Sequence, residues 1–404
     1  MQKSGAGQFY DVIVVGGGPI GSYAAYRLAS AGHRVMVLER KRSVGEAVCC
    51  TGIVSRECLN TFAIEGSTVL RLVNSARLFS PSGKQLRLWR EETQACILDR
   101  MAFDISLAGR AMGAGAEYLC NSLVKDVTTT GGGMSVATLC RGQEAVLEAR
   151  AVVIASGFGS GLGRRLGLGR FGDFAVGAQA EVAAPGLDEV EVYFGGMAPG
   201  FFAWLVPTVP PMARVGLIAR RSPALYLKKW LKHLAAEGKI ASPDAAISCR
   251  GIPLKPPPRT YGERLVVVGD AAGQVKPTSG GGLYYGLLGA DIAASTLHQA
   301  LEDDDLSARR LGRYERGWRR VLGRELRIGY WARRLFERLS ERQLDQVFDI
   351  VRANGIEKAL LGASDLSFDW HSRAILKLVR YQVVSGVLGV IKLPFAGWID
   401  RGQG

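Results

Sequence analysis

Gly16, Gly18 and Gly21 stand at G-x-G-x-x-G spacing in DVIVVGGGPIGSYAAYRLASAGHRVMVLER, residues 11–40, and Glu39 lies near the end of that segment. In such a triplet one glycine makes a tight turn, one lets backbone approach a pyrophosphate, and one lets a helix pack closely on a strand. The free N–H groups at the helix start then face the phosphates. Glu39 is placed to accept hydrogen bonds from the ribose hydroxyls of an adenosine. The pattern predicts binding of NAD or FAD. Arg40, Lys41 and Arg42 follow the acid and suggest a 2′-phosphate site for NADPH, but Glu39 would repel that group, which favours reading them as solvated charges.

Two further glycine clusters lie downstream. ARAVVIASGFGSGLGRRLG, residues 149–167, reads as a buried strand entering a glycine turn. Its spacing fails the dinucleotide pattern, because Leu162 and Arg164 occupy the positions where a third glycine is needed. In RLVVVGDAAGQVKPTSGGGLYYGLLGADIAAS, residues 264–295, an apolar strand ends in Gly269-Asp270, and Gly280-Gly281-Gly282 opens a helix. Asp270 offers a carboxylate to a polyol hydroxyl, and the helix directs its positive end at a developing anion. Between these, CILDRMAFDISLAGRAMGAGAEYL (residues 96–119) reads as a helix, with apolar positions Met101, Ile105, Leu107 and Ala108 that suit one and Asp99 placed as its cap. Arg100, at its start, is in reach of a phosphate or ribose.

The elements needed to hold these groups fit a chain of 404 residues, long enough for two or three structural units. Lys+Arg 51 against Asp+Glu 37 leaves a net charge of +14. The excess concentrates after residue 308, where Tyr314, Trp318, Leu322 and Leu326 recur at helical spacing and the arginines fall on the other face. That face reads as a solvated surface or as a contact for an anionic membrane or an acidic protein. No zinc-ligand spacing and no nucleic-acid-binding module is found, so neither a metal nor nucleic acid is expected. Seven cysteines without a targeting pattern point to reduced thiols and a cytoplasmic setting. The apolar segment 381–399 is interrupted by Ser385, Lys392 and Pro394 and is too short to span a bilayer.

Taken together, GGGPIG with Glu39, LDRMAFDISL around Arg100 and VVVGDAAGQVKPTSGGG resemble FAD-dependent oxidoreductases of the para-hydroxybenzoate hydroxylase fold. The resemblance covers roughly residues 9–300. It implies one FAD, with Asp270 near its ribityl and diphosphate region and Pro277, Gly280 and Gly282 bordering the isoalloxazine ring. VCCTGIVS, residues 48–55, is similar to the C-x-G segment of geranylgeranyl reductases, where a cysteine lies beside the flavin. Cys50 and Gly52 fill that motif and are the catalytic candidates. PGFFAWLVP, residues 199–207, resembles the Y-x-W-x-F-P signature that lines the prenyl cavity of the same enzymes. Phe202 and Val206 depart from it, while Trp204 and Pro207 remain; Phe202, Trp204 and Pro207 are the substrate-binding candidates.

The resulting expectation is an α/β chain with a Rossmann-like FAD-binding domain (residues 1–75, 97–172 and 250–300), an inserted α+β substrate domain (76–96 and 173–249) and a C-terminal helical region (301–404). The coenzyme set is Gly16, Gly18, Gly21, Glu39, Arg40, Arg100, Asp270, Pro277, Gly280, Gly281 and Gly282. The family implies reduction of C=C bonds in an isoprenoid or prenyl-lipid substrate, by hydride from reduced FAD N5 plus a proton whose source is Cys50 or a water. NADPH, ferredoxin or another reductant would supply electrons, and the protein would sit at the inner face of the cell membrane. Reduction of a menaquinone side chain, aromatic hydroxylation and electron transfer without a small substrate are the competing readings.

Overall fold

The computed structural model describes residues 9–353 and 367–380, and the apolar segment 381–399 lies outside them. Two compact units emerge, each assembled from separated stretches of chain: residues 1–70, 97–175 and 250–326 in one, and 71–96, 176–249 and 327–404 in the other. The region after residue 301, expected as a block of its own, is shared between the two. The cut falls within one 29-residue helix, Ala308–Phe336.

In the first unit, β1 (Phe9–Val15) leads through α1 (Pro19–Ser30) to β2 (Val35–Leu38). The strand β1 is central. It pairs in parallel with β2 on one side and with the second half of Gln143–Ile154 on the other. Glu117–Leu119 extends the parallel sheet beyond β2, and Leu265–Val267 extends it beyond Gln143–Ile154. Residues Val35–Leu38 and Leu265–Val267 are buried throughout, as strands covered on both faces must be. The first half of Gln143–Ile154 instead turns away to form an antiparallel meander with Met134–Cys140 and Ser122–Thr129.

Helix Ala308–Phe336 places Tyr314, Trp318, Leu322 and Leu326 inward as their spacing predicts. Their polar atoms do more than fill space. Tyr314 Oη donates to Val267 O at 2.5 Å, and Gln274 Nε2 donates to Tyr314 Oη at 2.9 Å. Trp318 Nε1 donates to Thr260 Oγ1 at 3.0 Å, while Glu315 accepts from the same threonine. These bonds fix the end of strand Leu265–Val267, where the Gly269-Asp270 turn begins. Burying a hydroxyl, an amide and an indole is tolerable only because each finds a partner.

In the second unit the strands run in the order Phe174–Ala183, Met212–Ala219, Ala203–Pro207, Val190–Tyr193, Ser75–Phe79, Gln85–Trp89. All adjacent pairs are antiparallel except Val190–Tyr193 with Ser75–Phe79. Helix Pro223–Ala236 covers one face, packing Leu227, Trp230, Leu231 and Leu234 with Ala203, Leu205, Val215 and Leu217. Helix Glu341–Ala353 sets Phe348 and Val351 against Leu86 and Leu78.

Candidate functional site

The glycine triplet sits at the turn from β1 into α1. Gly16 has φ +109°, and a Cβ there would meet Ala155 O at 2.5 Å. A Cβ on Gly21 would overlap Gly16 O, so this position binds helix to strand. Gly18, the helix N-cap, has nothing within 4 Å of where its Cβ would be. It faces open space. Glu39 is buried at the end of β2, accepting from Gly17 N at 2.7 Å and Lys41 N at 2.9 Å, one bond per carboxylate oxygen. Each oxygen retains lone-pair capacity for a further donor. Arg40 is exposed.

Asp99 caps helix Arg100–Gly113 as expected, accepting from Met101 N and Ala102 N. Phe103, Leu107, Ala108 and Ala111 are buried, whereas Met101 and Ile105 are 55% and 51% exposed. Arg100 is buried and pairs with Asp104 at 2.8 Å, one turn along. Its Nε has no hydrogen-bond partner. Burial works against the guanidinium's charge, but Cys50 and Asp104 more than offset this and hold its pKa above the ordinary value. Its Asp104 partner balances the charge and leaves the Nε–H as the unused donor.

Cys50 accepts a long hydrogen bond, 3.4 Å, from Gly52 N. Gly52 has φ +77° and is buried, and its carbonyl accepts from Leu98 N at 2.9 Å, which ties the C-x-G turn to the strand leading into Arg100. Arg100, Cys50 and Asp270 thus belong to one electrostatic neighbourhood.

Asp270 follows strand Leu265–Val267 in a 3-10 turn. Burial pushes its carboxyl above the usual carboxylate range, opposed by the positive charges of Arg250 and Arg100. Gly269 N donates to Gln274 Oε1 at 2.8 Å, closing the turn. Pro277 is buried. The Gly280-Gly281-Gly282 run is held by Gly280 N to Lys276 O at 2.8 Å and Lys276 N to Gly281 O at 2.9 Å. A Cβ on Gly281 would meet Lys276 Cε at 2.7 Å, and one on Gly282 would meet Asp270 Oδ1 at 2.8 Å. Gly282 is the N-cap of helix Leu283–Glu302. Two helix N-termini, an unsatisfied buried guanidinium nitrogen and glycines at close approaches form a cradle whose chemistry fits a dinucleotide carrying a pyrophosphate.

In the second unit, Trp204 lies on strand Ala203–Pro207 opposite Val192 and Gly216. Strand alternation puts Phe202 and Trp204 on the face away from helix Pro223–Ala236, whereas Pro207 falls on the helix-covered side with Ala203 and Leu205. The Phe202 and Trp204 rings are 5.9 Å apart. Trp204 Nε1 is buried without a partner.

The cradle defines a flavin-dependent oxidoreductase: residues 11–164 match the FAD-dependent oxidoreductase family. The chain is 33% identical to digeranylgeranylglycerophospholipid reductase 2 of Methanothermobacter thermautotrophicus over 83% of its own length and 90% of that protein. It is 30% identical to digeranylgeranylglycerophospholipid reductase of Methanocaldococcus jannaschii over 83% and 89% of the two lengths. Its fold is similar to a geranylgeranyl bacteriochlorophyll reductase-like protein of Thermoplasma acidophilum, with a TM-score of 0.82, 26% identity and coverage of 94% and 97% of the two chains. The protein belongs to the digeranylgeranylglycerophospholipid reductase family.

Proposed function

We propose that this protein reduces C=C bonds in the geranylgeranyl chains of a glycerophospholipid or a related isoprenoid. The observation that carries the reading is kinship over 83% of the chain with reductases named for such a lipid. FAD, when bound and reduced, supplies a hydride from N5.

Gly16 and Gly21 let the β1–α1 turn close tightly, Gly18 would admit the pyrophosphate to the start of α1, and Glu39 would accept from the ribose. Arg100 offers its free Nε–H to a coenzyme oxygen, and Asp270 accepts from a polyol hydroxyl. Pro277 and Gly280–Gly282 leave room for the ring system. An isolated alkene has no carbonyl to take up electron density, so hydride arriving at one carbon must be matched by a proton at the other. Cys50 Sγ–H is the proton donor in this reading, with Arg100 supplying positive charge beside the sulfur as the proton leaves.

Phe202 and Trp204 present an apolar face to the prenyl chain. Burial at about 0.8 kcal/mol per methylene gives roughly 3–4 kcal/mol per isoprene unit before ordering costs. Selection between chains of similar shape is correspondingly weak. Arg309, Arg313, Arg316, Arg320 and Arg324 are exposed on the basic helix. With Asp305 and Arg310, the first three line a hollow of about 450 Å³. These arginines are suited to anionic headgroups at the cytoplasmic membrane face. Among the described residues no helix is long and apolar enough to cross a membrane.

The test is anaerobic incubation of dithionite-reduced holoenzyme with digeranylgeranylglycerophospholipid, followed by mass spectrometry. Products heavier by two hydrogens per reduced bond, with matching flavin reoxidation, are expected. Unchanged lipid with the flavin still reduced refutes the reading.

A further inference from the structure

Four histidines occur in the whole chain, and two of them meet. His33, in the connection from α1 to β2, and His298, near the end of helix Leu283–Glu302, are 265 residues apart in sequence, yet His33 Nε2 and His298 Nδ1 lie 2.9 Å from each other. Glu302, one turn beyond His298, adds a carboxylate, and the three ligand atoms all fall within 4.8 Å of one another. We propose that His33, His298 and Glu302 bind one first-row divalent cation of the zinc class, with water completing the coordination.

The donor set fits. Two imidazoles and one carboxylate suit a borderline cation such as zinc better than calcium or magnesium, which prefer oxygen. The imidazole contact can be bridged by a proton only if one ring donates and the other accepts, and a cation replaces that shared proton. His33 is buried, and burial keeps its pKa below the ordinary histidine value despite Asp11 and Glu302, with His298 and Arg150 acting in the same direction as burial. Arg150 does not face the site unpaired: it is paired with Asp11 at 3.3 Å and Asp304 at 2.8 Å.

Location supplies a second physical reason. The site lies where α1 and helix Leu283–Glu302 both end, and the last carbonyls of a helix favour a nearby cation. The opposite ends of the same two helices begin at Gly18 and Gly282 in the coenzyme cradle. At 1.5 Å per residue, the 12 residues of α1 separate cation and cradle by about 18 Å. The ion would clamp the scaffold and leave the reacting centre untouched.

The experiment uses chelator-treated holoenzyme, titrated with zinc chloride by calorimetry and followed by thermal unfolding. One zinc per chain, a raised melting temperature and an unchanged flavin spectrum are expected. Glu302→Gln keeps the histidine contact and so provides a folded variant, while His298→Gln removes a ring. Weakening of at least about tenfold in either variant supports the site. No saturable zinc binding by the parent protein, or undiminished binding in both variants as when cysteines alone take the metal, overturns it.

Discussion

The indole of Trp204 occupies the space that a side chain at Gly216 would fill: a Cβ there would overlap Trp204 Cζ2 and Cε2 and come within 2.7 Å of Ala178 O. The smallest residue on one strand thereby fixes the largest ring on the next. Gly216→Ala should displace the indole, lower stability by about 1–3 kcal/mol as overpacking does, and raise KM for the isoprenoid lipid. FAD content should be unchanged. Tryptophan fluorescence, flavin absorbance and steady-state kinetics read the three effects separately.

Two glycines of the same triplet should behave differently. Gly18→Ala meets nothing in the protein, so the FAD-free chain should unfold as the parent does, while FAD affinity falls. Gly21→Ala collides with Gly16 O and Ala155 Cβ and should destabilise the FAD-free chain itself. Denaturant unfolding of both variants, with and without FAD, checks the contrast.

Asp104→Ala removes the carboxylate paired with buried Arg100. Breaking one side of a buried ion pair costs about 3–5 kcal/mol. Urea unfolding of the FAD-free protein should show a loss of that order. Added FAD should recover part of it, because the orphaned guanidinium gains an anionic neighbour.

Asp270 gives a pH dependence of definite sign. Its carboxyl pKa is raised by burial, so the folded, FAD-free chain holds a proton that the unfolded chain releases. This contribution is complete below about pH 3.9, the ordinary aspartate value, and is lost as pH rises through the folded-state value. Asp270→Asn should therefore raise the melting temperature of the FAD-free protein at neutral pH, lose that advantage in acid, and bind FAD more weakly. Melting curves across pH, with flavin titrations, check all three.

Liposomes containing anionic lipid should sediment the protein at low salt and release it as salt rises. The combined variant Arg313→Glu with Arg316→Glu should bind less, at about 1 kcal/mol for each lost positive contact. Equal sedimentation with neutral liposomes would remove the basic helix from any membrane role.

Much of the local geometry around the glycine turns was legible because its information is local. The glycine spacing, the acid at the end of β2, the Asp99 cap and the stripe from Tyr314 to Leu326 each lie within one or two elements. Apolar type at Met101 and Ile105 does not say which side of helix Arg100–Gly113 its neighbours cover, and both side chains are half exposed. What the sequence hid depends on distant pairing. Gln274 with Tyr314, Gly216 with Trp204 and His33 with His298 carry no spacing signature. The domain reading likewise separated residues 301–404 from the rest, because nothing in a continuous amphipathic pattern marks where helix Ala308–Phe336 passes from one compact unit to the other.

Strand Leu265–Val267 pairs with Gln143–Ile154, which in turn pairs with β1 near the chain start. During synthesis, strand Gln143–Ile154 must therefore wait for a partner made more than 100 residues later. Nascent chains halted before Leu265 should be unable to retain flavin, and in the cell they would depend on chaperones to shield the unfinished sheet.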